Sequence, residues 1–144
     1  MSRKAKDLDS LLRLHSWTVD ERRRELGMLF AREEELIRYG QQLDLQLIRE
    51  QQVATEHPTS AGYSYAPFAQ AHRLRREQLV RTLVALREEI EQAQDRLTEA
   101  YRQLKVYEEV QKERVRKESE EEARKEQIAY DEIGETQFRQ RKSS

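Results

Sequence analysis

From Leu79 the chain repeats an apolar or aromatic residue at alternating steps of four and three: Leu83, Leu86, Ile90, Ala93, Leu97, Ala100, Leu104 and Tyr107. Arg, Glu, Gln and Thr fill most of the positions between them. Such spacing lays one narrow apolar stripe along a helix, wide enough for a partner helix but not for a globular core. The pattern predicts a coiled-coil strand. A second, weaker stripe precedes it. One core position reads Leu12, Val19, Leu26, Glu33, Gly40, Leu47 and Ala54, and the other reads Leu8, His15, Arg22, Leu29, Leu36, Leu43 and Glu50. His15, Arg22, Glu33 and Gly40 interrupt this seam, which makes it the softer of the two. Glycine costs a helix about 1 kcal/mol relative to alanine, unless a close backbone approach at Gly40 offsets it.

The stretch from His57 to Pro67 breaks both patterns, with both prolines and several turn-forming residues. His57, preceding Pro58, is pushed away from helical geometry. The pattern predicts one coiled-coil domain over residues 1–144: a first helix over roughly 8–56, a loop over 57–66, a second helix over 67–130 and a frayed tail over 131–144. The first helix can be capped between Asp7 and Ser10, or at Thr18, where Thr18-Val19-Asp20-Glu21 fits a capping box. Ser64 can cap the second helix, with Pro67 in its first turn. Folding the second helix back on the first is the economical solution, an all-α antiparallel hairpin. A turn near residue 61 places Leu43 near Leu79, Leu36 near Leu86, Leu29 near Ala93 and Val19 near Leu104. Helices of about 45 residues at 1.5 Å per residue make a rod of about 70 Å. A parallel dimer or trimer with the loop as a hinge is the rival, so the monomeric hairpin is tested by solution mass.

Composition supports long solvated helices. Charged residues are 38% and hydrophobic residues 36% of the chain, with only 4 Gly and 2 Pro. The net charge of −1 comes from interspersed basic and acidic residues, unlike the basic face of a nucleic-acid binder. With no cysteine there are no disulfides and no thiolate chemistry. No apolar run reaches the ~20 residues of a membrane span, and the opening residues lack an export signal's apolar core. The expected location is the cytoplasm. Beyond Tyr107 charge takes over, and Glu113–Lys117, Glu120–Arg124 and Glu121–Lys125 are spaced as i,i+4 ion pairs.

Candidate chemistry is sparse. His15, His57 and His72 lie far apart and none is spaced as a zinc ligand, and no phosphate loop or nucleophile motif occurs. No cofactor, metal or catalytic residue is expected. What remains is surface. Trp17 falls outside the traced seam, as does Leu14 one turn before it, and exposed tryptophan is enriched at partner hot spots. The alternative is a register shift that tucks Trp17 against Tyr107 or its neighbours. Tyr63, Tyr65 and Phe68 cluster at the turn, either capping the open end of the coil or docking a partner. Arg116 and Arg124 are candidate contacts on the charged extension.

Leu12-Arg13-Leu14, Trp17 and Val19-Asp20-Glu21-Arg22-Arg23 resemble the opening of one branch of the FliJ family of flagellar export proteins. Tyr65-Ala66-Pro67-Phe68 is similar to the Tyr-x-x-Phe at the start of that family's second helix. The resemblance spans the chain and implies a two-helix antiparallel coiled coil like the stalk of the rotary ATP synthase gamma subunit. It implies a non-enzymatic cytoplasmic component of the flagellar type III export apparatus, peripheral to the inner membrane. Implied partners are the export ATPase (FliI-like) hexamer, in whose centre the stalk sits, the export gate protein (FlhA-like) and empty substrate chaperones. Phe68 would be the gate-docking aromatic; one turn later, where some members carry an apolar residue, this chain has His72. The stalk of a virulence-type secretion system and a generic coiled-coil scaffold are the competing readings. A prefoldin-like chaperone needs strand-forming hairpins that residues 57–67 are too short and proline-rich to make.

Overall fold

The computed structural model describes residues 3–143. Two helices account for nearly all of them: α1, Arg3–Glu56, and α2, Gly62–Ser143. No strand occurs among the described residues. The chain divides into two compact units, one being Trp17–Ala100 and the other the described parts of Met1–Ser16 and Tyr101–Ser144.

In the unit Trp17–Ala100 the two helices run antiparallel. Glu25 meets Arg96, Glu33 meets Arg87, and Asp44 meets His72 and Arg76, so each step up α1 is matched by a step back along α2. Leu36, Leu79, Leu86 and Ile90 form the buried cluster, with Leu26, Leu29 and Leu83 packed against it. In the other unit the pairing is also antiparallel, since Tyr107 stacks on His15 and Gln111 donates to Asp9 at 3.3 Å. The fold class is therefore all-α, two long helices paired antiparallel.

Every position of both predicted seams is buried or half-buried. The polar interruptions are each accommodated by a particular neighbour. His15 stacks on Tyr107 with ring centres 4.5 Å apart and planes 20° apart. Arg22 pairs with Glu25 at 3.3 Å on its own helix, and Glu33 receives Arg87 across the seam at 3.3 Å. Gly40 is buried, and a Cβ there would lie 2.7 Å from Arg76 Nη1 and 2.9 Å from Leu79 Cδ2. The close approach that would offset its helix penalty is present.

The helices are longer than the patterns predict. α1 begins at Arg3, leaving Asp7, Ser10 and Thr18 inside the helix instead of capping it. Leu8 is buried and Asp9 is held by Gln111, so packing on α2 outweighs the local preference for a cap. The turn shortens to residues 57–61. It is closed by two backbone bonds, His57 N–H donating to the Val53 carbonyl and Ala61 N–H to the His57 carbonyl, each at 2.9 Å. Ser64 lies within α2, and its hydroxyl donates to the Ala61 carbonyl at 2.9 Å, so it does not cap the helix as an acceptor. Pro67 also lies within α2 and leaves the Tyr63 carbonyl without its helical donor. Tyr63 is 89% exposed, so water is at hand for that carbonyl. At the other end α2 continues to Ser143, through the segment where fraying is expected. Local contacts run along it: Lys125 with Glu121 at 4.0 Å, Gln127 donating to Asp131 at 3.2 Å, and the Thr136 hydroxyl donating to the Glu132 carbonyl at 2.9 Å.

Candidate partner-binding surfaces

In the unit Trp17–Ala100, the steps of four and three continue upstream of Leu79 through Arg76, His72, Ala69 and Tyr65, and none of these is exposed. The seam therefore reaches almost to the turn. Sequence reading stops it at Leu79 because Arg76 and His72 are polar, although the spacing alone carries it further. Tyr65 and Phe68 are half-buried, and Tyr63 beside them is exposed. His72 is buried, with its Nε2 3.4 Å from Asp44 Oδ1 but in no formed hydrogen bond. Arg76 Nε lies 3.5 Å from the same carboxylate oxygen. Asp44 is thus a neighbour of the candidate site residue His72 that motif reading does not single out.

Trp17, in the same unit, is 58% exposed. Further along, Arg96 donates to Glu25 at 2.6 Å. That hydrogen bond, opposed by partial desolvation and helped by the nearby charges of Arg96 and Arg22, holds the Glu25 carboxyl below its ordinary value.

In the other unit Leu14 is 55% exposed. Past Arg114 every described residue of α2 is exposed, including Val115, Ile128, Tyr130, Ile133 and Phe138. Arg116 is held between Glu113 and Glu120, the second contact at 3.1 Å. The expected partners differ: Glu113 turns to Arg116 and Glu120 to the same guanidinium, while Glu121–Lys125 forms as spaced. The hydrogen bond to Glu113 pushes the Arg116 pKa up, and its counterpart pulls Glu113 down. Arg124 is exposed on the same stretch. Among the described residues no three His, Asp or Glu side chains gather as a metal site, and no helix is long and apolar enough to cross a membrane.

The family model for the flagellar FliJ protein matches residues 4–143. The chain belongs to the FliJ family. No curated protein and no solved structure matches it. Membership of the FliJ family makes this chain a flagellar-type export component and assigns it to a family that is structural, not enzymatic.

Proposed function

We propose that this FliJ-family chain is the stalk of a flagellar type III export apparatus, acting as a single coiled-coil domain and a monomeric hairpin in the cytoplasm. It binds the centre of the export ATPase hexamer, links that hexamer to the export gate at the cytoplasmic face of the inner membrane and escorts empty substrate chaperones. The family match over residues 4–143 carries this reading. The exposed, charge-rich part of α2 supports it, because alternating Glu, Arg and Lys let a helix bind surrounding subunits weakly and reversibly. Arg116 and Arg124 are the contacts offered to the ATPase. Phe68, with Tyr65 one turn before it, docks the gate, and His72 acts from the seam beneath them. Leu14 and Trp17 offer apolar contacts to partners.

The test is reconstitution with the cognate ATPase. Adding the chain raises hexamer formation and the rate of ATP hydrolysis; unchanged assembly and rate would refute the stalk reading.

A further inference from the structure

One layer of the seam sets a buried histidine beside a close approach at glycine. Next to it lie the hydrocarbon contacts of Leu36, Leu79, Leu86 and Ile90, and farther from the turn the ion pairs Glu33–Arg87 and Glu25–Arg96. Near the turn the layer holds a buried imidazole, a carboxylate, a guanidinium and a glycine. His72 is 9% exposed and its Nε2 faces Asp44 at 3.4 Å. Arg76 approaches the same Asp44 oxygen at 3.5 Å. The space that Arg76 and Leu79 occupy exists because Gly40 has no side chain, a Cβ there falling 2.7 Å and 2.9 Å from their atoms.

We propose that this layer of Gly40, Asp44, His72 and Arg76 is a register lock. It selects the antiparallel pairing of α1 with α2 in one alignment, against heptad-slipped pairings and against parallel pairing of two copies.

Apolar positions alone cannot make that choice. A slip of one heptad moves each leucine to the next core position and keeps most of the hydrocarbon buried. The polar layer does not tolerate it. A slip in one direction sets Ile37 where Asp44 stands, and in the other it sets Gln51 there. Neither supplies a carboxylate at the Asp44 position, beside the buried His72 ring. The same slips bring Glu33 or Leu47 into the place of Gly40, where even a Cβ falls 2.7 Å from Arg76 Nη1 and 2.9 Å from Leu79 Cδ2, so those side chains must shift to admit a larger residue. In a parallel, in-register pair of copies, His72 would face His72 and Asp44 would face Asp44. Asp44 would then face a second carboxylate in place of the imidazole and guanidinium that lie 3.4 Å and 3.5 Å from it here. His72 Nε2 makes no formed hydrogen bond even in this alignment, so what a slip removes is the carboxylate 3.4 Å from it and the clearance at Gly40. A single polar layer can set register and partner choice in a coiled coil at some expense in stability. His57 and His15 cannot substitute, since His57 is exposed beside the turn and His15 is stacked on Tyr107 in the other unit.

The absence of native cysteine makes the test clean. Cysteine pairs joined by a short bifunctional maleimide report alignment in the full chain. Glu33→Cys with Arg87→Cys replaces the ion pair seen at 3.3 Å and reports the native register. Glu33→Cys with Val80→Cys, and Glu33→Cys with Gln94→Cys, report slips of one heptad either way. Arg87→Cys alone reports parallel pairing through linkage between copies. With the layer intact only the native pair links. With His72→Leu and Arg76→Leu, which keep the seam apolar and helical, the slipped pairs link as well, or copies link to each other. Native-only linkage in a chain that stays helical and monomeric would overturn the lock. Asp44→Ala, made at a half-exposed position, provides a second variant should the leucine pair fail to fold. Spreading of the cross-links in Asp44→Ala supports the lock, and retention of the native pair alone sinks it.

Discussion

Two glycines on α1 should respond in opposite directions to the same substitution. Gly27 and Gly40 both lie inside the helix, where alanine is favoured by about 1 kcal/mol through backbone entropy and better shielding. Around Gly27 a Cβ meets nothing within 4 Å, so Gly27→Ala takes the full gain. Around Gly40 the new methyl would lie 2.7 Å from Arg76 Nη1 and 2.9 Å from Leu79 Cδ2, both inside contact distance. Arg76 ends in a flexible, 41%-exposed guanidinium and can swing away, though not without loosening its contact with Asp44. Leu79 is 4% exposed and has nowhere comparable to go. Overpacking a buried site costs about 1–3 kcal/mol, which exceeds the propensity gain or at least cancels it. Gly40→Ala should therefore be neutral to about 2 kcal/mol destabilising, and the two variants should differ by about 1–3 kcal/mol. Urea and thermal melts followed by far-ultraviolet circular dichroism measure both, a shift of a few degrees per kcal/mol being expected for a chain of this size. If Gly40→Ala gains as much stability as Gly27→Ala, the close approach of α2 at that point is wrong.

Other consequences are smaller or more local. Glu25 has its pKa lowered by Arg96, so the pair contributes stability above the ordinary glutamate range of about 4.3 and loses it as pH falls through the depressed folded value. Because both side chains are more than a third exposed, the screened contribution is at most about 1 kcal/mol. Glu25→Gln should remove that acid-range loss from a plot of melting midpoint against pH, and an unchanged plot would deny the pair its role. Gly134→Ala, with nothing within 4 Å of a new Cβ, should raise the helix content of the exposed end of α2 while leaving the seam's melting midpoint within about 0.5 kcal/mol of its starting value. A midpoint that rises in step with the helix signal would mean that end melts together with the seam. Trp17→Ala removes a side chain that is 58% exposed, so stability should hold within about 0.5 kcal/mol while capture of export partners drops several-fold in a pulldown. Full partner capture by Trp17→Ala would take that residue out of the interface.

The all-α fold and the two seams were readable because a 4-3 stripe has few physical interpretations. The turn was also readable, since Pro58 and its neighbours break the apolar spacing, although Gly62, Ser64 and Pro67 lie within α2. Local signals misplaced the element ends. Asp7, Ser10 and Thr18 have cap chemistry, but a helix with a packed face extends through such residues when Leu8 and Asp9 gain partners beyond them. Ser64 and Pro67 likewise suggested a later start for α2 than Gly62. The layer near the turn was hidden for a different reason. His72 and Arg76 occupy seam positions, yet polarity reads as surface until a partner such as Asp44 is known, and that partner lies on the other helix. Gly40 was the one visible hint. The residues proposed for partner contact were legible only as ones left over from the seam: Trp17 and Leu14 are exposed, whereas His72 is turned inward.

A strain lacking this gene, scored for flagellar filaments and for swimming, tests the export-stalk account most directly. The account predicts few or no filaments, with filaments and swimming restored when the full chain is supplied in trans. Normal filaments in the deletion strain, or a loss confined to another protein-secretion system with motility intact, would contradict it.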